Sequence, residues 1–180
     1  MVTPLMACSS VQAGPGSAAD QAFAALSQRY LREFPALSPV GATGLGDHRF
    51  DGELDEVSPE ARARQVRFHE ELLAGLGRIP RAELSRANQV DATLLEHEAR
   101  FAVWSVRVLQ EWSWNPLRYT ELAGGAVYGL MAREFAPLEQ RLASVTSRLG
   151  QVPRFLRQVR GTLVPERVHR IHAEDRKSVV

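Results

Sequence analysis

The chain has 180 residues, 44% of them hydrophobic, and a formal net charge of +1, which suits one domain with enough apolar material for a packed core. Acids and bases are interspersed rather than blocked, so no long-range field points to nucleic acid or to an acidic surface. The lone cysteine, Cys8, allows no internal disulfide, and no stretch approaches the ~20 apolar residues of a membrane-spanning helix.

Residues 1–17 read as a Gly/Ser/Ala/Pro leader. Within it, Leu5-Met6-Ala7-Cys8-Ser9-Ser10 resembles the lipobox of a bacterial lipoprotein, which makes Cys8 a lipidation candidate and suggests a periplasmic or outer-surface location. Met1-Val2-Thr3-Pro4 supplies neither the basic region nor the apolar run of roughly 7 to 15 residues that a signal peptide needs. A start placed too late would account for this; an ordinary polar leader on a cytoplasmic protein is the alternative. The sole lysine, Lys177, lies in Asp175-Arg176-Lys177-Ser178-Val179-Val180, which matches the conceptual translation of a common sequencing adapter. Residues 175–180 are therefore expected to be an artefact, with the native sequence continuing beyond Glu174.

The folded part, 18–174, reads as all-α. Phe23, Leu26, Tyr30, Leu31 and Phe34 recur at helical spacing until Pro35 blocks continuation. From Pro35 to Val57, four glycines, Pro39, Asp47 and Asp51 predict a long ordered loop, with Gly41 to Gly46 as a structural turn. Ser58-Pro59-Glu60 opens a helix that ends near Gly75 or Gly77, with a buried stripe at Val66, His69 or Leu72, Leu73 and Leu76. From Ser85 to about Trp114 the 3.6 period runs without Gly or Pro, which predicts one long helix, and Asn115-Pro116 ends it. A shorter helix follows over Tyr119 to Met131. Another, marked by Leu138, Leu142, Val145 and Leu149, should stop at Gly150, and Val152-Pro153 should start the next. Trp104, Trp112 and Trp114 at helical spacing are expected in the core.

A search for chemistry on these elements finds no complete constellation. His69-Glu70 and His97-Glu98 each begin like the H-E-x-x-H zinc pattern, but Leu73 and Phe101 stand where the second histidine belongs. Both histidines are simpler as polar residues on exposed or half-buried faces, and His169 and His172 as surface residues. No catalytic residue, metal ligand or bound cofactor is assigned to this segment.

The ordered blocks Pro39 to Gly46, Asp47 to Phe50, Leu54, Ser58-Pro59-Glu60, Asp91 to Leu95, Asn115-Pro116-Leu117-Arg118-Tyr119, Arg133 to Leu138, Arg141 to Leu149 and Pro153 resemble the N-terminal half of the bacterial domain-of-unknown-function 885 family. The resemblance implies an incomplete N-terminal part of a larger helical, zinc-peptidase-like fold, exported or lipid-anchored. Its metal would be a zinc held by an H-E-x-x-P-G-H type motif far downstream, and its substrate a peptide. This segment would then wall and cap a channel that limits access to short or flexible peptides. The loop carrying Asp47 and His48 and the turn carrying Asn115 and Tyr119 are the substrate-contact candidates. A non-catalytic helical binding protein of the periplasm is the competing reading.

Overall fold

The structure, a computed structural model, describes residues 16–174. Cys8 and residues 175–180 lie outside them. Among the described residues every regular element is helical: α1 Ala18–Glu33, α2 Pro39–Leu45, α3 Pro59–Leu76, α4 Arg86–Trp104, α5 Glu111–Trp114, α6 Leu117–Met131, α7 Leu138–Thr162 and α8 Ile171–Glu174, with short 3-10 turns between several of them. The all-α multi-helix array read from the sequence is the fold observed.

Local signals start these helices as the sequence indicates. The hydroxyls of Ser17, Ser58 and Ser85 accept the backbone N–H of Asp20, Ala61 and Asn88 respectively, each an N-cap that satisfies one orphan donor of the first turn. Two apolar clusters hold the array. One packs Phe23 of α1, Leu72 and Leu76 of α3, and Ala92 and Ala99 of α4 around Ile79 and Leu84. The other packs Leu54, Tyr119 and Ala126 of α6, and Phe155 of α7. Each fully buried Leu or Phe here contributes about 1.5–3 kcal/mol of transfer free energy.

Four expectations need correction. The stretch from Pro35 to Val57 is not all loop, because α2 forms inside it with Pro39 at its first position. Its cap is the carboxylate of Asp55, which accepts from the Val40 N–H at 2.9 Å across fifteen residues; a sequence reading limited to near neighbours cannot see it. Gly46, at φ 90° in the left-handed region, then closes the helix where a Cβ would be strained. The helix from Ser85 does not reach Trp114: it passes into a π turn at Ser105–Leu109 and breaks at Gln110, whose φ of 51° is left-handed for a non-glycine residue. Gly150 ends nothing, and α7 runs through Pro153 to Thr162. Finally, Trp104 is exposed rather than core, as are Val90, Leu94, Phe101 and Val108 on the same helical stripe.

The continuity of α7 has a physical cause. Its side chains serve as the hydrogen-bonding partner of the extended segment after Asp51. Ser147 and Gln151 donate to the carbonyl of Gly52 at 2.7 and 2.8 Å, and Arg148 to that of Glu53 at 2.9 Å. Gln151 also accepts from the Leu54 N–H, Arg154 donates to the Leu54 carbonyl, and Gln158 accepts from the Val57 N–H. The Thr162 hydroxyl completes the run by donating to the Val57 carbonyl. These bonds reach both sides of Pro153, so the segment splints the helix where proline removes a ladder bond.

Arg148 is the centre of this arrangement. At 1% exposure it also donates to the Ala126 carbonyl and the Thr43 hydroxyl, both at 2.7 Å, and thereby joins α7 to α6 and α2. Burial lowers its affinity for a proton, and the carboxylates of Asp51 and Asp55 nearby oppose that shift.

Candidate functional site

The break after α4 builds a cleft. At the π turn several carbonyls lose their helical donors, and the indoles of Trp112 and Trp114 replace them. Trp112 Nε1 donates to the Val106 carbonyl at 2.9 Å and Trp114 Nε1 to that of Leu109 at 3.1 Å. Ser113, fully buried, folds its hydroxyl back onto the Gln110 carbonyl at 2.8 Å. The tryptophans thus close a backbone irregularity instead of filling a core. π turns and left-handed non-glycine residues recur at functional sites, which directs attention to this corner.

The cleft holds a cavity of about 190 Å³ between α3, the end of α4, α5 and the start of α6. Arg62 of α3 lies in its wall, with its guanidinium over the Trp112 ring at 4.0 Å, a cation–π contact. Its Nη1 donates to the Val57 carbonyl at 2.8 Å and more weakly to the Thr162 hydroxyl. Burial pushes the Arg62 proton affinity down, offset by the neighbouring Tyr119 and Glu60, yet a guanidinium stays charged at neutral pH. Tyr119 forms the floor, its hydroxyl donating to the Trp112 carbonyl at 2.5 Å and its pKa raised by burial. Glu111 and Arg118 pair at 3.5 Å on one side, and Glu56 pairs with Arg154 and Arg64 on another.

Of the four substrate-contact candidates, Asn115 and Tyr119 belong to this corner. Asn115, two residues before α6, accepts from the Leu117 N–H at 3.0 Å and donates to Glu111 at 2.7 Å, so it orients a cleft-lining acid. Asp47 and His48 do not join them. Asp47 accepts from Arg49, which holds its carboxyl down at about 2. His48 stacks on Phe135 at 3.7 Å and bonds Asp51 at 3.0 Å. Phe135 lies beyond the far end of α6, so about 22 Å of helix separates the two pairs. Sequence reading missed Arg62 and Trp112 as partners because they are fifty residues apart, and only the break at Gln110 brings them together.

His69, expected on an exposed or half-buried face, is 1% exposed. Its Nδ1 bonds the Gln65 carbonyl at 2.7 Å, and its buried Nε2 has no partner. Burial lowers its pKa below the ordinary value of 6.5, which keeps the ring neutral. Among the described residues no three His, Cys, Asp or Glu side chains converge to hold a metal ion. The residues present therefore do not fit a zinc site, and no chemical step is assigned to one in this segment.

An all-α array with a cleft at a broken helix is the class defined by these features. The chain belongs to the family described as "Bacterial protein of unknown function (DUF885)", which it matches over residues 39–177. It is similar to a solved structure from Shewanella oneidensis described as "a putative lipoprotein of unknown function", with 27% identity and a TM-score of 0.74. That similarity covers 79% of this chain and 26% of the other, so the chain spans about a quarter of the length of that relative. No curated protein matches it. Among the described residues no helix is long and apolar enough to cross a membrane.

Proposed function

We propose that this chain is the N-terminal, channel-wall portion of an exported, lipid-anchored, zinc-dependent peptidase-like hydrolase, and that the cleft at Arg62, Trp112 and Tyr119 contacts its peptide substrate. Cys8 would carry the lipid, and zinc would be held by residues of the longer protein, since among the described residues no three candidate ligands converge. The observation that supports the reading is the apolar stripe of α4 and the π turn after it: Val90, Leu94, Phe101, Trp104 and Val108 are exposed at intervals of one or two turns. A stripe of that width is normally a buried helix face. Phe101 belongs both to the stripe and to the cleft lining, so whatever body covers α4 also closes the cleft.

The test begins with the gene. The locus is sequenced through the codon for Glu174, and the protein from the complete frame is then assayed for bound metal and for hydrolysis of short peptides. A continuing frame, about one zinc per chain and hydrolysis abolished by a chelator support the proposal. A frame ending at Val180, or a metal-free and inert full-length protein, overturns it and leaves a non-catalytic helical binding protein as the account.

A further inference from the structure

The charges that line the cleft are not all neutralised within the protein. Glu111 answers Arg118, and Glu56 answers Arg64 and Arg154. Two charges are left over. Arg62 has no carboxylate at ion-pair distance among the described residues, and with Nη1 committed to Val57 and Thr162 its Nε and Nη2 have no acceptor, though neither is buried. Glu98, on α4, lines the same cleft and makes neither a hydrogen bond nor an ion pair among the described residues; its field reaches the rings of Tyr30 and His69. The cleft therefore presents one positive and one negative group, each able to accept a partner from outside.

The length of the cleft lining limits what that partner can be. α3 and α4 pack side by side, and the cleft residues Arg62 and Gln65 of α3 share its lining with Ala102 and Ser105 beyond Glu98. The residues from Glu98 to Ser105 cover about 10 Å along the helix axis at 1.5 Å per residue. A free amino acid, whose two charged groups flank one carbon, is short against that length. An extended dipeptide, at up to about 3.6 Å per residue plus a hydrogen bond at each end, matches the span. Aromatic and aliphatic groups in the same lining, Phe101, Val106 and Ala102, suit apolar side chains.

We infer that the cleft binds a short peptide with both termini free, its carboxylate on Arg62 and its ammonium on Glu98. This deepens the peptidase-like reading by assigning the terminus-recognising residues, and it rests on that reading only in taking the cleft as the peptide-contacting surface. A charge-assisted hydrogen bond of this kind contributes enough to change affinity about tenfold or more.

The experiment is calorimetric titration of this chain with L-leucyl-L-leucine, its C-terminal amide and its N-acetyl derivative. The unmodified dipeptide is expected to bind about tenfold more tightly than either blocked form. E98Q, which removes no internal hydrogen bond, should erase the preference for the free amino terminus and keep the preference for the free carboxylate. R62Q should do the reverse. Equal affinity of the three peptides for the wild-type chain, no binding of any of them, or an E98Q variant that still discriminates against the N-acetyl form would overturn the inference, even if R62Q fails to fold. Since no hydrolysis enters the readout, a failed zinc or activity assay on the full-length protein leaves this result standing, and the converse also holds.

Discussion

Replacing Arg148 with methionine tests the idea that polar side chains, more than apolar ones, hold this array together. The substitution keeps the volume and most of the buried stem but removes the donors to the Glu53 and Ala126 carbonyls and to the Thr43 hydroxyl. The buried Ala126 carbonyl and the partly buried Glu53 carbonyl lose this donor, at up to about 1–3 kcal/mol each. Relief of the guanidinium's own desolvation offsets part of that, and a buried ion set replaced by hydrophobic residues is often neutral for this reason. Here the partners are backbone carbonyls, which cannot be replaced along with the arginine, so the penalty wins. A net loss of about 3 kcal/mol is expected, measured by urea unfolding followed in parallel by tryptophan fluorescence and far-ultraviolet circular dichroism. The midpoint should fall at unchanged slope. A loss below about 1 kcal/mol, or any gain, would refute the reasoning, because it would mean the carbonyls find water or that the extended segment is not held by α7.

Acid should destabilise the protein through His69. Its folded pKa lies below 6.5, so the unfolded chain takes up a proton first as the pH falls, and stability drops below pH 6.5 until the folded pKa is reached. His69→Gln should flatten that limb of a stability-against-pH curve, and an unchanged slope would exclude His69 as its source. Leu94→Gln combined with Val108→Gln should reduce hydrophobic-dye binding and self-association while shifting unfolding by no more than about 0.5 kcal/mol, since both side chains are more than 60% exposed. A loss of several kcal/mol would show that the stripe is packed internally. Trp112→Phe should cost about 1–2 kcal/mol, because the Val106 carbonyl loses its donor and the Arg62 contact weakens. Equal stability would mean that the π turn needs no indole cap.

The helix starts at Ala18, Pro59 and Arg86 were legible because their signals are local: a serine cap, a proline at the first turn and an apolar period within a few residues. What escaped depends on distant partners. α2 is capped by Asp55, α7 survives Pro153 because the segment after Gly52 braces it, and the period of α4 continues past Trp104 although the backbone does not. Periodicity in an apolar stripe predicts a face that will be covered; it does not say by what, which is why Leu94, Phe101 and Leu142 keep the helical period and stand exposed. The candidate site was half visible. Asn115 and Tyr119 were marked by the proline break beside them, whereas Arg62 and Glu98 are ordinary surface letters until α3 and α4 pair.

The alliance of α7 with the extended segment also fixes what lengths the chain can have. Two strands can slip by two residues and recover their bonds, but a helix turns about 100° per residue. One residue inserted between Ser147 and Thr162 would swing half of the donors and acceptors away from Gly52 to Val57 together. Insertions and deletions are thus compatible with this fold only outside those two stretches, and the register between a helix and an extended chain is as strict here as in any sheet.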